Sequence, residues 1–111
     1  MSAQPACLAA DVPVAGTLRV ELTAADGAVV EVAVVRDESG ELHAISDICS
    51  HGAVSLSDGE VEGSTVECWL HGSRFDLRTG KPLSPPAIRP IPVYPLSVEG
   101  EQVLVDVDAP L

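Results

Sequence analysis

Cys49-Ser50-His51-Gly52 and Cys68-Trp69-Leu70-His71-Gly72 decide how the rest of this chain is read. They supply two thiolates and two imidazoles in the order Cys, His, Cys, His, with sixteen residues between His51 and Cys68. Each half therefore brings one sulfur and one nitrogen donor. Two like halves can clamp a two-iron cluster, both sulfurs on one iron and both nitrogens on the other. A tetrahedral zinc site uses the same side chains, but zinc motifs pair like with like, as C-x₂₋₄-C followed by H-x₃₋₅-H. The alternating order, the C-x-H half-site and the two His-Gly pairs fit that spacing poorly. Colour separates the two, because zinc is colourless.

Charge explains what the two imidazoles would do for such a cluster. Two ferric ions, two sulfides and two thiolates sum to zero with neutral imidazoles, whereas a four-thiolate cluster starts two charges more negative. Adding an electron is then easier, and the electron should settle on the iron held by His51 and His71. Gly52 and Gly72 can take positive φ and bring backbone N–H groups toward the cluster sulfurs.

Beyond the ligands, residues 48–107 resemble the Rieske-type ferredoxins that serve bacterial ring-hydroxylating oxygenases. Three stretches carry the resemblance: Cys49-Ser50-His51-Gly52, then Cys68-Trp69-Leu70-His71-Gly72-Ser73-Arg74-Phe75-Asp76, then Thr79-Gly80 leading to Ser84-Pro85-Pro86-Ala87. It implies one [2Fe–2S] cluster per chain held by Cys49, His51, Cys68 and His71, with the proline loop covering a third side. It also implies a carrier that takes electrons from a flavin-dependent ferredoxin reductase and gives them to a terminal oxygenase or other acceptor. High-potential Rieske proteins carry an extra Cys in each ligand loop, where this chain has Val54 and Leu70, and a membrane anchor, of which the sequence shows no sign. They also carry a Tyr at the position of Phe75, whose hydroxyl donates to a ligand sulfur. These departures predict a midpoint near the low end of the range, about −150 mV. A Rieske-type oxygenase would need a further domain for a mononuclear iron, for which 111 residues leave no room. Two other uses stay open: a carrier for iron–sulfur assembly, and a small Rieske-like subunit of a larger redox enzyme.

Composition agrees with a carrier. One domain, residues 1–111, is the prior for this length. The apolar fraction of 46% is ample for a folded chain. No apolar run approaches the roughly 18 residues of a membrane span, and the first residues lack the pattern of a secretory signal. Three cysteines, two of them claimed by the cluster, leave Cys7 as a small buried hydrophobe and suit a reducing compartment, so the expected location is the cytoplasm. A net charge of −11 argues against nucleic acid and anionic membrane as partners. That charge serves solubility or steers the chain toward a basic partner face. Four of the six basic residues, Arg74, Arg78, Lys81 and Arg89, follow the second ligand half, which predicts a less acidic cluster neighbourhood.

The periodicity predicts an all-β fold. Leu18, Val20 and Leu22 alternate with Arg19, Glu21 and Thr23, and a turn at Ala25-Asp26-Gly27 leads to the run 29–35. Asp37-Glu38-Ser39-Gly40 connects that run to a strand at 41–45, and Glu99-Gly100-Glu101 joins strands at 94–98 and 103–107. Short strands at 65–67 and 74–77 flank the second ligand loop. The expected architecture is a Rieske-like fold: antiparallel sheets from both chain ends, with a small cluster-binding subdomain inserted at about 47–87. The tail 108–111 is expected to fray. Trp69 is expected to pack under its own loop, His43 to be an ordinary strand histidine, and Asp47 and Asp76 to cap turns. No nucleophile with a base, phosphate loop or paired carboxylates stands out, so the chain is expected to be a carrier and not an enzyme.

Overall fold

The computed structural model describes residues 3–50, 54–70, 72–85, 87 and 89–111. Among them run ten strands: β1 (Gln4–Leu8), β2 (Gly16–Thr23), β3 (Val29–Arg36), β4 (Leu42–Ser46), β5 (Val61–Glu62), β6 (Thr65–Glu67), β7 (Arg74–Asp76), β8 (Val93–Tyr94), β9 (Leu96–Glu99) and β10 (Gln102–Val105). All the pairings are antiparallel, in three sheets of order β1-β10-β9, β2-β3-β4-β8 and β5-β6-β7. The all-β expectation holds.

β3 explains how the sheets stack. Four successive residues, Val32, Ala33, Val34 and Val35, are buried. A strand with apolar residues pointing both ways needs cover on both faces, since successive side chains alternate between them. Val32 and Val34 join Leu22, Ala44, Tyr94, Val103 and Val105 in one core, facing the β1-β10-β9 sheet. Ala33 and Val35 join Ile45, Leu56, Val66, Phe75 and Leu77 in a second core, which also contains Cys49 and Cys68. The central sheet is thus the floor of the ligand loops on one side and the roof of a plain apolar core on the other.

The middle of the chain leaves this sheet after β4 and returns to it at β8, which pairs Ile45 with Val93. The β5-β6-β7 sheet lies within that excursion. Its register, Glu67 opposite Arg74 and Val66 opposite Phe75, sets Cys68 and Ser73 immediately beyond the last pair. The second ligand loop is therefore the tip of the β6–β7 hairpin.

Three expectations need correction. The strand predicted at 94–98 is two strands, because Pro95 has no N–H to donate: β8 stays in the central sheet and β9 crosses to β10. Residues 4–8 form a strand that the sequence reading left out, in which Cys7 is half-buried against the plain core; burial, with Asp11 nearby, pushes its thiol upward. The tail is tied down: Leu111 N–H donates to Val93 O at 2.7 Å, and Asp108 Oδ1 accepts from Ala25 N–H at 2.9 Å.

Candidate metal centre

Cys49 and Cys68 come from loops 19 residues apart in sequence yet sit in one apolar cluster, 3% and 1% exposed. The first loop is a narrow return of the chain. Cys49 N–H donates to Val54 O at 3.0 Å, and Ile48 bridges Ser55 just below. In the second, Cys68 N–H donates to Ser73 O at 2.7 Å, and Gly72 N–H donates to Cys68 O at 2.9 Å. Gly72 has φ +77°, a conformation that side chains with a Cβ rarely adopt, so glycine is needed beside the second ligand position. His51, Gly52 and His71 lie outside the described residues, as does Pro86.

A third segment is fastened beside these two. Leu83 N–H donates to Arg74 O, Arg74 N–H donates to Ser84 Oγ, and Ala87 N–H donates to the buried Ser73 Oγ at 3.0 Å. Ser50 Oγ–H donates to Arg89 O at 2.6 Å, which ties the first ligand loop to the chain beyond the prolines. Phe75 is completely buried in the same core. It offers volume and no donor. Two buried thiols on clasped loops share one apolar core, a donor pair that fits the sulfur side of a two-iron centre.

Several apolar side chains of these loops and of the third segment reach solvent. Ile48, Trp69, Leu70 and Leu83 are all exposed. Trp69 is 51% exposed, so it does not pack beneath its own loop as expected. The core that contains the cysteines is built from Phe75, Leu56 and their neighbours, without Trp69. The cations are less available than the sequence suggested. Arg74 pairs with Glu67 at 3.2 Å and lies 3.8 Å from Glu62, and Arg78 pairs with Glu41 at 3.2 Å. Among the described residues Lys81 and Arg89 make no ion pair.

His43 is buried in β4, and its Nε2 lies 2.9 Å from Asp37 Oδ2. Burial pushes the Asp37 carboxyl up, but hydrogen bonds from Ser39 Oγ, His43 and the N–H groups of Glu41 and Ser39 outweigh it and hold it well below the usual range. Glu41 approaches the same pair, yet Asp37 is fully engaged and Glu41 faces Arg78, so this group fastens the β3–β4 turn. Asp76 caps its turn as expected, accepting from Arg78 and Thr79 N–H. Asp47 does more than cap, and its partner on β2, Arg19, is not marked in the sequence. Arg19 alternates with apolar neighbours there and reads as an ordinary surface residue.

A family model described as the Rieske [2Fe-2S] domain matches residues 2–95. The chain belongs to this Rieske family. The family carries one Rieske-type [2Fe–2S] cluster per domain, which agrees with the buried sulfur pair. Over 102 residues the chain is 42% identical to the 3-phenylpropionate/cinnamic acid dioxygenase ferredoxin subunit of Escherichia coli K12, covering 91% of this chain and 90% of that one. The Sphingomonas yanoikuyae B1 ferredoxin superposes with a TM-score of 0.85 at 30% identity, over 95% of this chain and 98% of that one. A chain in the complex of reduced oxygenase and oxidised ferredoxin of carbazole 1,9a-dioxygenase gives 0.83 at 31% identity, over 98% and 96%. This Rieske chain is an electron carrier of the ferredoxin kind. Among the described residues no helix is long and apolar enough to cross a membrane.

Proposed function

We propose that Cys49 and Cys68 hold one iron of the cluster and His51 and His71 the other, within a cluster-binding unit at about 47–87. The chain then passes single electrons, in the cytoplasm, from a flavin-dependent reductase to the terminal oxygenase of a ring-hydroxylating system. A flavin suits the donor's task because it accepts a pair of electrons and releases them singly. When bound, the cluster supplies a one-electron redox step. This chain's residues bury the two cysteines and clasp the loops that carry them.

One observation carries the reading: two buried cysteines share one apolar core, while their apolar sequence neighbours Ile48, Trp69 and Leu70 are exposed. A carrier needs its centre shielded from water yet near a face that another protein can cover, and aromatic and aliphatic residues without charge suit such a transient contact. The supporting experiment is stopped-flow mixing of the purified protein with a flavin reductase and NADH, followed by addition of a terminal oxygenase. Reduction within milliseconds to seconds and reoxidation by the oxygenase are expected. A colourless protein containing zinc would refute the ligand assignment, and a cluster that no reductase reduces would refute the carrier role.

A further inference from the structure

Asp47 is completely buried, and it directly follows β4, two residues before Cys49. Its N–H donates to Glu31 O at 3.0 Å, its carbonyl accepts Leu56 N–H at 2.6 Å, and its Oδ1 accepts Ser57 N–H at 2.8 Å. The two ends of the first ligand loop are therefore closed upon this one residue. β2 braces the closure from the side. Thr17 Oγ1–H donates to Ser57 O at 2.6 Å, and Arg19 Nε lies 3.3 Å from Asp47 Oδ2. Thr17 and Arg19 stand opposite Val35 and Ala33, so they share the sheet face that carries the ligand-loop core.

The buried Oδ2 has no hydrogen-bond partner among the described residues, and its contact with Arg19 is an ion pair only. Arg19 is also shared: it pairs with Glu21 at 3.2 Å and with Glu31. One cation facing three carboxylates leaves this closure negative. A neutral amide could also accept the Ser57 N–H, though more weakly, so the hydrogen bond alone does not require a charge here. Burying an ion is costly unless it is well paired, and this one is poorly paired.

We propose that Asp47 is a positioning residue for the first ligand loop, and that its buried charge, partly offset by Arg19, lowers the midpoint potential of the centre. This rests on the assignment of Cys49 and His51 as ligands. Two residues of chain place Asp47 Cα within about 7 Å of Cys49 Cα. At that range, inside the protein, salt screens the carboxylate little. A negative charge there opposes the arrival of an electron, and Arg19 works in the opposite sense.

The test is voltammetry and EPR on the holoprotein with iron content measured alongside. Asp47→Asn keeps an acceptor for Ser57 N–H, so it should retain full iron and move the midpoint upward. Asp47→Ala loses both charge and acceptor, and should lose iron or broaden the EPR signal. Arg19→Gln, at a half-exposed position, should fold normally and move the midpoint downward, and Arg19→Lys should restore most of it. Glu101→Gln, an exposed charge on the far hairpin, should leave it in place. An unchanged or lowered midpoint in Asp47→Asn, with only the melting temperature affected, overturns the proposal. If Asp47→Asn cannot hold a cluster, Arg19→Gln decides alone, and an unchanged midpoint overturns it. A native spectrum in Cys49→Ser would instead show that the ligand assignment had failed.

Discussion

Gly59→Ala should loosen the ligand loops without touching a ligand. Gly59 lies between the first loop and β5, and Glu67 directly precedes Cys68. A Cβ at Gly59 would overlap the Glu67 carbonyl oxygen and come within 2.9 Å of its carbon and 3.2 Å of Leu56 O. All of these are backbone atoms, so no rotamer change relieves the overlap, and one strand must retreat by about 1 Å. The retreat strains the Glu67 N–H to Glu60 O bond, now 2.8 Å. Losing that bond costs about 1 kcal/mol, and overpacking adds about 1–3 kcal/mol. At about 4 °C per kcal/mol for a domain of this size, the melting temperature should fall by about 8–16 °C. Because the retreat carries Cys68 with it, iron content per chain should fall as well. Gly63→Ala is the control: it meets no atom within 4 Å but has φ +57°, so only backbone strain of about 1 kcal/mol applies. Thermal melts followed at the visible band, with iron and sulfide assays, make the comparison. A Gly59→Ala protein with wild-type iron that melts within 2 °C of wild type would refute the argument.

Cys49→Ser, Cys68→Ser, His51→Ala and His71→Ala should each give apoprotein or a grossly altered visible spectrum, whereas Cys7→Ala and His43→Ala should keep full cluster content. Asp37 is held below its unfolded value, so its contribution to stability is present above about pH 4 and is lost as pH falls below that; Asp37→Asn should flatten the acid limb of the melting-temperature profile, and an unaltered limb would remove Asp37 from the account. Phe75 is buried beside both cysteines, so Phe75→Tyr should raise the midpoint by tens of millivolts from about −150 mV if its hydroxyl reaches a sulfur, and otherwise lower stability by about 1–3 kcal/mol for the stranded hydroxyl. Reduction by the physiological reductase should slow as salt rises, and a flat ionic-strength profile would assign the −11 charge to solubility alone.

What the sequence revealed and what it hid follow from the range of the interactions. The candidate donor set was stated from residue type and spacing alone, and the structure brings its two cysteines into one core. The hairpins were legible because Gly40 and Gly100 mark turns between runs of clear period. The split at Pro95 could have been read from the missing N–H, but the apolar residues on both sides concealed that β8 and β9 belong to different sheets. Residues 4–8 gave no signal, because a five-residue strand with a register shift between Pro5 and Cys7 has no clean alternation. The Arg19–Asp47 contact was hidden for a deeper reason: it joins positions 28 apart across three strands, and nothing local to either residue marks it. Trp69 was misplaced for a related reason, since the core around the cysteines is built from Phe75 and residues distant in sequence, and Trp69 has no part in it.

The same facts separate long-range attraction from docking. Arg74 and Arg78 are engaged by Glu62, Glu67 and Glu41, so the cations after the second ligand half do not reverse the sign of the molecule near its centre. A partner approaching from beyond the Debye length of about 10 Å meets an acidic body, and a basic face is favoured there. At contact other residues govern: Ile48, Trp69, Leu70 and Leu83 are exposed and carry no charge, so the gain from covering them is not screened away by salt. Trp69→Ala should therefore weaken the complex and slow electron transfer by a similar factor at low and high salt, through faster dissociation. Neutralising Glu99 and Glu101, on the hairpin of the opposite sheet, should slow association at low salt only. Were Trp69→Ala to lose its effect at high salt, the tryptophan would be acting through the charged groups around it and the division would be wrong.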